Sequence, residues 1–243
     1  MVIPARDEEG SVEETLRDLV ATLNEESIPH ELILVDDGSS DATVAIVERL
    51  ILEHPQIRLL HNDGRHGFGM AVRVGLSSAT GDAVAVMMAD RSDSARDLVA
   101  CYRKLGEGYD CVFGSRFLRG SKVVDYPTHK LLLNRMANWF IRILFAVPFN
   151  DFTNAFKLYR RYVIEGMQPL ISPHFNLTVE MPLKAIVRGY TFGIVPITWT
   201  NRKSGVSKLK IKEMGSRYLF IVLYLWLEKA LARGDYAREI PRA

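Results

Sequence analysis

AVAVMMADRSD, residues 83–93, is the stretch from which the rest of the chain can be read. Six apolar residues, Ala83 through Met88, run straight into Ala89, Asp90 and a polar loop. A short apolar run ending in an acid predicts a buried central strand with a carboxylate at its carboxyl end. Ligands of open α/β sheets bind just beyond that end of the strands. Leu32-Ile33-Leu34-Val35, followed by Asp36-Asp37-Gly38-Ser39-Ser40-Asp41, has the same form. Two strands that deliver acids to one edge predict a site for a polyvalent ligand, bound through a cation or through ribose hydroxyls.

The flanking sequence supplies the sheet around them. Val2-Ile3 reads as a first strand, so short as to suggest that residues before it are missing. Helices are predicted over 11–24, with Ser11 as cap and Glu14 at the capping-box position, and over 41–53, capped by Asp41. Strands over 31–35, 57–60 and 110–113 alternate with helices over 70–79 and 95–105. Such alternation implies βαβ units and a mainly parallel sheet.

After Gly120 the composition changes. Pro127 precedes a helix over 128–146 whose polar positions, Lys130, Asn134, Asn138 and Arg142, form one narrow stripe. The rest of its surface is apolar, unusually wide for a helix on a water-facing domain. A strand ends the segment 151–159, a helix covers 176–188 with Pro182 as a kink, and a single strand covers 190–199. A basic loop, 201–212, leads into an aromatic-rich final helix over 211–232. The whole is expected to be one domain, 1–232, with halves 1–120 and 121–232 and a tail at 233–243.

The chain has 243 residues, 48% of them hydrophobic, enough for a sizeable core, and a net charge of +2 that gives no bulk electrostatic case for nucleic acid. Cys101 and Cys111 are expected to be reduced thiols. No apolar run approaches the roughly 20 residues of a membrane-spanning helix.

Several constellations could carry chemistry. Asp36 and Asp37 could be turn punctuation, but two acids at a buried strand's end favour a base edge or ribose hydroxyls as their partner. Asp90 and Asp93 could be a cap and a solvated acid, or could hold Mg²⁺ or Mn²⁺ on a diphosphate. Gly64, Gly67 and Gly69 fail the dinucleotide fingerprint, because Val72 stands where a third glycine is needed. Arg202, Lys203, Ser207, Lys208, Lys210 and Lys212 are either a solvated face, a phosphate cradle or an anionic-membrane contact. Glu180 reads equally well as a functional acid or as a capped or paired one, and Asp151 as either a base or a turn former.

Taken in order, these residues resemble glycosyltransferase family 2, in the branch that includes dolichyl-phosphate mannose synthase and related polyprenyl-phosphate sugar transferases. The resemblance is carried by Val2-Ile3-Pro4-Ala5-Arg6-Asp7-Glu8-Glu9, Val35-Asp36-Asp37-Gly38-Ser39, Gly67-Phe68-Gly69-Met70-Ala71, Met88-Ala89-Asp90, Gly114-Ser115-Arg116-Phe117, Asp151-Phe152-Thr153-Asn154 and Arg202-Lys203-Ser204-Gly205-Val206-Ser207-Lys208. It implies a GT-A-type nucleotide-sugar domain with interfacial amphipathic helices and no transmembrane helix. It places Pro4, Ala5, Arg6, Glu8, Val35, Asp36, Asp37, Gly67, Met88, Ala89 and Asp90 around the donor. It places Arg116, Lys130, Asn134, Arg202, Ser207 and Lys208 around the acceptor phosphate, with Asp90, Arg116 and Arg202 catalytic. A metal, Mg²⁺ or Mn²⁺, would sit on Asp90 and Asp93, although Met88 replaces the first acid of the family's metal motif and Ser92 its usual glutamine.

The implied activity is inverting transfer of a hexose from a nucleoside diphosphate sugar, GDP-mannose first and UDP-glucose second, to a polyprenyl phosphate. Such an enzyme would be cytoplasmic and peripheral on the inner face of a membrane; the oligomeric state stays open. A family 2 enzyme with a non-lipid acceptor, or a non-catalytic nucleotide-sugar-binding protein, are the alternatives.

Overall fold

Strand and helix alternate through the first half as β1 (Val2–Ala5), α1 (Val12–Glu25), β2 (Leu32–Asp36), α2 (Thr43–Glu53), β3 (Ile57–His61), α3 (Phe68–Ser78), β4 (Ala83–Val86), α4 (Ala95–Gly106) and β5 (Cys111–Ser115). The second half continues with β6 (Lys122–Val124), α5 (Thr128–Phe145), β7 (Lys157–Arg160), α6 (Arg161–Gly166), α7 (Leu177–Val187), β8 (Phe192–Pro196), β9 (Thr198–Thr200) and α8 (Ile211–Leu231). This computed structural model describes residues 1–202, 211–232 and 234–238.

Seven strands form one sheet in the order β3-β2-β1-β4-β7-β5-β8, and β6 pairs with β9 apart from it. The pairings are parallel except that β7 runs antiparallel to both β4 and β5. Mainly parallel is therefore right, and the reversed strand β7 inside the sheet, between β4 and β5, is what the sequence did not foretell. Neighbouring strand residues face opposite sides: Val2, Ile33 and Val84 enter one apolar layer, Ile3, Leu34 and Ala85 the other. Both faces are covered, so the strands read as continuous apolar runs instead of alternating ones.

The apolar stripe of α1 (Leu16, Leu19, Val20, Leu23) packs with α2 and α4 on one face. Each such leucine contributes about 1.5–3 kcal/mol by leaving water. Residues of α3, α5, α7 and α8 cover the other face. From β1 the chain moves outward to β2 and β3, then returns across the sheet to β4 on β1's other side. That reversal leaves a crevice at the carboxyl ends of β1, β2 and β4, where such sheets bind ligands.

Local corrections have local causes. Ser11 makes no capping bond to α1; its hydroxyl donates to Glu8 instead. Asp41 accepts the Thr43 backbone N–H at 2.9 Å, so α2 begins two residues later than expected. β4 stops at Val86 because the Met88 N–H leaves the ladder for Asp93 Oδ2, at 3.2 Å. The single strand expected over 190–199 breaks at Pro196, which has no N–H to offer, and β9 turns away to pair with β6. Both cysteines are free and buried. Among the described residues no helix is long and apolar enough to cross a membrane.

Candidate active site

The crevice is a cavity of about 850 Å³ that runs from the ends of β1, β2 and β4 to a groove between α5 and α8. Asp37, one residue past β2, lies at its inner end. Its Oδ1 accepts from Asn62 Nδ2 at 2.6 Å, its Oδ2 accepts the Gly67 N–H at 2.9 Å, and His66 Nδ1 lies 3.3 Å away. The carboxylate thus ties the loop after β2 to the start of α3. The Gly67 φ of +150° and the approach of the loop before α7 exclude a side chain there: an added Cβ would lie 2.4 Å from the Pro173 carbonyl oxygen. Gly69 is tighter still, 2.2 Å from the Ser172 oxygen. These glycines serve close packing of one cleft wall.

Asp36 does something different. Its two oxygens accept the Gly38 and Ser39 N–H groups at 3.2 and 3.0 Å, folding the turn that presents Asp37. Val35 and Ala89 are enclosed in the two core layers and do not line the cleft. Val35, Asp36 and Ala89, expected around a donor, thus lie outside the cleft lining: they are the packing and turn residues that aim the next side chain.

Pro4 and Ala5 end β1 at the cleft, Arg6 and Glu8 follow them in, and Met88 and Asp90 follow β4. Arg202 joins them from the far end of the chain. β9 is held by β6 and by the Thr200 N–H donating to the Ser92 carbonyl at 3.0 Å. Two residues on, Arg202 Nη2 lies 2.6 Å from Asp90 Oδ2 and Nη1 lies 3.4 Å from Glu8 Oε1.

Arg116, just past β5, is the second cation. Its Nε and Nη2 form a two-pronged pair with Asp151 at 2.9 and 2.7 Å, and Nη2 also reaches Thr153 Oγ1 at 3.2 Å. Burial opposes its charge, but Asp151 overcomes that and holds the guanidinium pKa above its ordinary value. The rings of Phe117, Tyr126 and Trp199 surround it, with centroids 5.3, 5.6 and 5.7 Å from Cζ. Lys130 and Asn134 come from the polar stripe of α5, and Asn134 Nδ2 donates to Thr153 Oγ1 at 2.8 Å. The cavity then passes between Leu133, Ala137 and Phe140 of α5 and Leu219 and Val222 of α8. Outside it the two helices expose Leu132, Met136, Trp139, Phe220, Leu223 and Trp226.

With this geometry in hand, comparison with known proteins is decisive. The family model described as Glycosyl transferase family 2 matches residues 1–167. The chain is a family 2 glycosyltransferase. Polyprenol monophosphomannose synthase of Mycolicibacterium smegmatis is 33% identical over 184 residues, 73% of this chain and 69% of that one. Glycosyltransferase AglD of Haloferax volcanii is 29% identical over 204 residues, 82% of this chain but 32% of that longer protein. Among solved structures, glucosyl-3-phosphoglycerate synthase from Mycobacterium tuberculosis, in complex with Mn²⁺, UDP-glucose and phosphoglyceric acid, superposes with a TM-score of 0.69 at 18% identity. The match covers 94% of this glycosyltransferase and 78% of that chain, and it establishes the GT-A-type fold.

Not every expected residue of the glycosyltransferase reaches the cleft. Asp93 is not among the lining residues; it borders a separate cavity of about 210 Å³ with Glu14, Asp18 and Arg91. Its Oδ1 is enclosed without a hydrogen-bond partner, and burial, then the charge of Asp90, pushes its carboxyl up to about 7. Ser207 and Lys208 lie outside the described residues. Asp151 is the buried partner of Arg116, and Glu180 accepts the Ile171 and Ser172 N–H groups at 2.8 and 2.7 Å, so both are structural. Thr153, Tyr126, Trp199 and His174 line the cleft and went unread. Thr153 lies within the quoted motif Asp151-Phe152-Thr153-Asn154, but nothing in the sequence singles out His174.

A Mg²⁺ or Mn²⁺ ion at Asp90 and Asp93 would need hard oxygen ligands. Asp90 Oδ1 accepts the Ser92 N–H at 3.1 Å, its Oδ2 is paired with Arg202, and Met88 offers a thioether. Among the described residues no group of three or more His, Cys, Asp or Glu is placed to hold a metal. This donor set does not fit a protein-held divalent ion.

Proposed function

We propose that this glycosyltransferase moves a hexose from a nucleoside diphosphate sugar to a polyprenyl phosphate at a membrane surface, with inversion at the anomeric carbon. The observation that carries the reading is the continuity of the cleft: acids and cations at the sheet's edge open without a break into an apolar groove between α5 and α8. A phosphate on a long apolar tail has that polarity. The mannose synthase relative, whose name contains both polyprenol and phosphomannose, supports the same acceptor and makes mannose the first sugar to test. GDP-mannose is the first donor and UDP-glucose the second.

In this reading Pro4, Ala5, Arg6, Glu8 and Asp37 border the nucleoside, and Met88 and Asp90 face the diphosphate. Lys130, Asn134 and Arg116 orient the acceptor phosphate. Its oxygen forms the new bond to the anomeric carbon as the bond to the diphosphate breaks, and the electron pair leaves with the nucleoside diphosphate. The attacking phosphate is already anionic near neutral pH, so no proton need be removed, and positioning with exclusion of water supplies the catalysis. The exposed apolar rows of α5 and α8 rest in the membrane interface and make the enzyme peripheral on the inner face.

Incubation with GDP-mannose and UDP-glucose over vesicles carrying polyprenyl phosphate, with product detection by mass, tests the reading. Expected is one hexosylated polyprenyl phosphate. Transfer to a water-soluble phosphorylated acceptor with none to the lipid would overturn it.

A further inference from the structure

We propose that the guanidinium of Arg202, in place of a divalent cation, neutralises the donor's diphosphate in this enzyme. The proposal rests on reading the cleft as a nucleoside diphosphate sugar site. Three observations meet on it. Asp90 Oδ2 is taken by Arg202 Nη2 at 2.6 Å, and Glu8 steadies the same guanidinium at 3.4 Å. Arg202 is delivered by β9, which the ladder with β6 and the bond from Thr200 to Ser92 fix beside the Asp90 loop. Met88, on the cleft wall two residues before Asp90, presents sulfur, a poor ligand for Mg²⁺ or Mn²⁺.

Charge bookkeeping agrees. The cleft lining carries five Lys and Arg side chains against Glu8, Asp37 and Asp90; with Arg116 neutralised by buried Asp151, an excess of one cation (5 − 4) remains before any ion is added. A guanidinium carries its N–H donors in a rigid fork whose geometry matches phosphate oxygens. The Arg202 side chain is only 18% exposed, where its attraction for phosphate is weakened less by water than at the surface. Asp90 then acts as a positioning residue, holding the guanidinium at the diphosphate.

Calorimetric titration of the whole protein with GDP and with UDP, once in EDTA and once in Mn²⁺, reads this out. The preferred nucleotide is expected to bind with the same Kd in both buffers, within about threefold, and Arg202→Met to weaken it roughly tenfold to a hundredfold in both. Electron paramagnetic resonance should find no Mn²⁺ held by the wild type with nucleotide present. The Met88→Asp, Arg202→Met double variant should gain Mn²⁺ binding. Nucleotide binding that requires Mn²⁺ would overturn the proposal while leaving the donor reading intact. Binding of neither nucleotide in either buffer would remove the donor reading, and the proposal with it.

Discussion

Arg116 and Asp151 bury opposite charges side by side, their side chains 6% and 0% exposed, so neither is tolerated alone. Asp151→Ala is expected to lower stability by about 3–5 kcal/mol, read from urea unfolding, because it strands a guanidinium away from water. Asp93 is a different case. Its carboxyl sits near 7 in the fold against 3.8 for the ordinary group, so between those values the native state binds more protons than the unfolded one. Stability should therefore fall as pH rises from about 4 to 7, and Asp93→Asn should flatten that slope in urea midpoints measured across the range. At Gly69 any side chain meets the Ser172 carbonyl. Gly69→Ala should cost about 1–3 kcal/mol and weaken nucleotide binding by shifting the wall that carries His174. None of these roles could be read from residue type. Asp36, Asp37, Asp90 and Asp93 look alike in the sequence, and the hydrogen bonds of their loops decide which of them face the cleft.

At the scale of elements the legible features were those with a strong local period. The stripe of α1 folds as read, because its side-chain periodicity specifies the buried face; α5 forms where it was read but turns Asn138 of its polar stripe inward and leaves Leu132, Met136 and Trp139 exposed. What failed was short or shared. α6 has six residues and no stripe to see, and the run before Trp199 serves two sheets, split at Pro196. The exposed rows of α5 and α8 yield a prediction of their own. Trp139 is 66% exposed and does not line the cleft. Trp139→Glu should lower cosedimentation with anionic vesicles by roughly tenfold or more, from the apolar area it removes, and leave nucleotide titrations unchanged.

The whole molecule depends on how its second half is fastened to the first. β7 enters the sheet between β4 and β5, and α8 is clamped near its end by the Arg188–Glu228 pair at 3.0 Å, 6% and 5% exposed. Glu228→Gln should cost about 1–3 kcal/mol and raise hydrogen exchange along α8, with little change in β1 to β3. Alternation of strands and helices, with acids after two apolar runs, was enough in the sequence to determine a mainly parallel α/β sheet with carboxylates at one edge. Periodicity and strand-end chemistry are local, and local order survives in a linear string. The antiparallel β7, the withdrawal of Asp36 and Asp93 from the cleft, and the meeting of Arg202 with Asp90 across 112 residues were decided only by the tertiary structure. Each depends on the register of distant strands and on loop hydrogen bonds, which exist only once the chain has closed on itself.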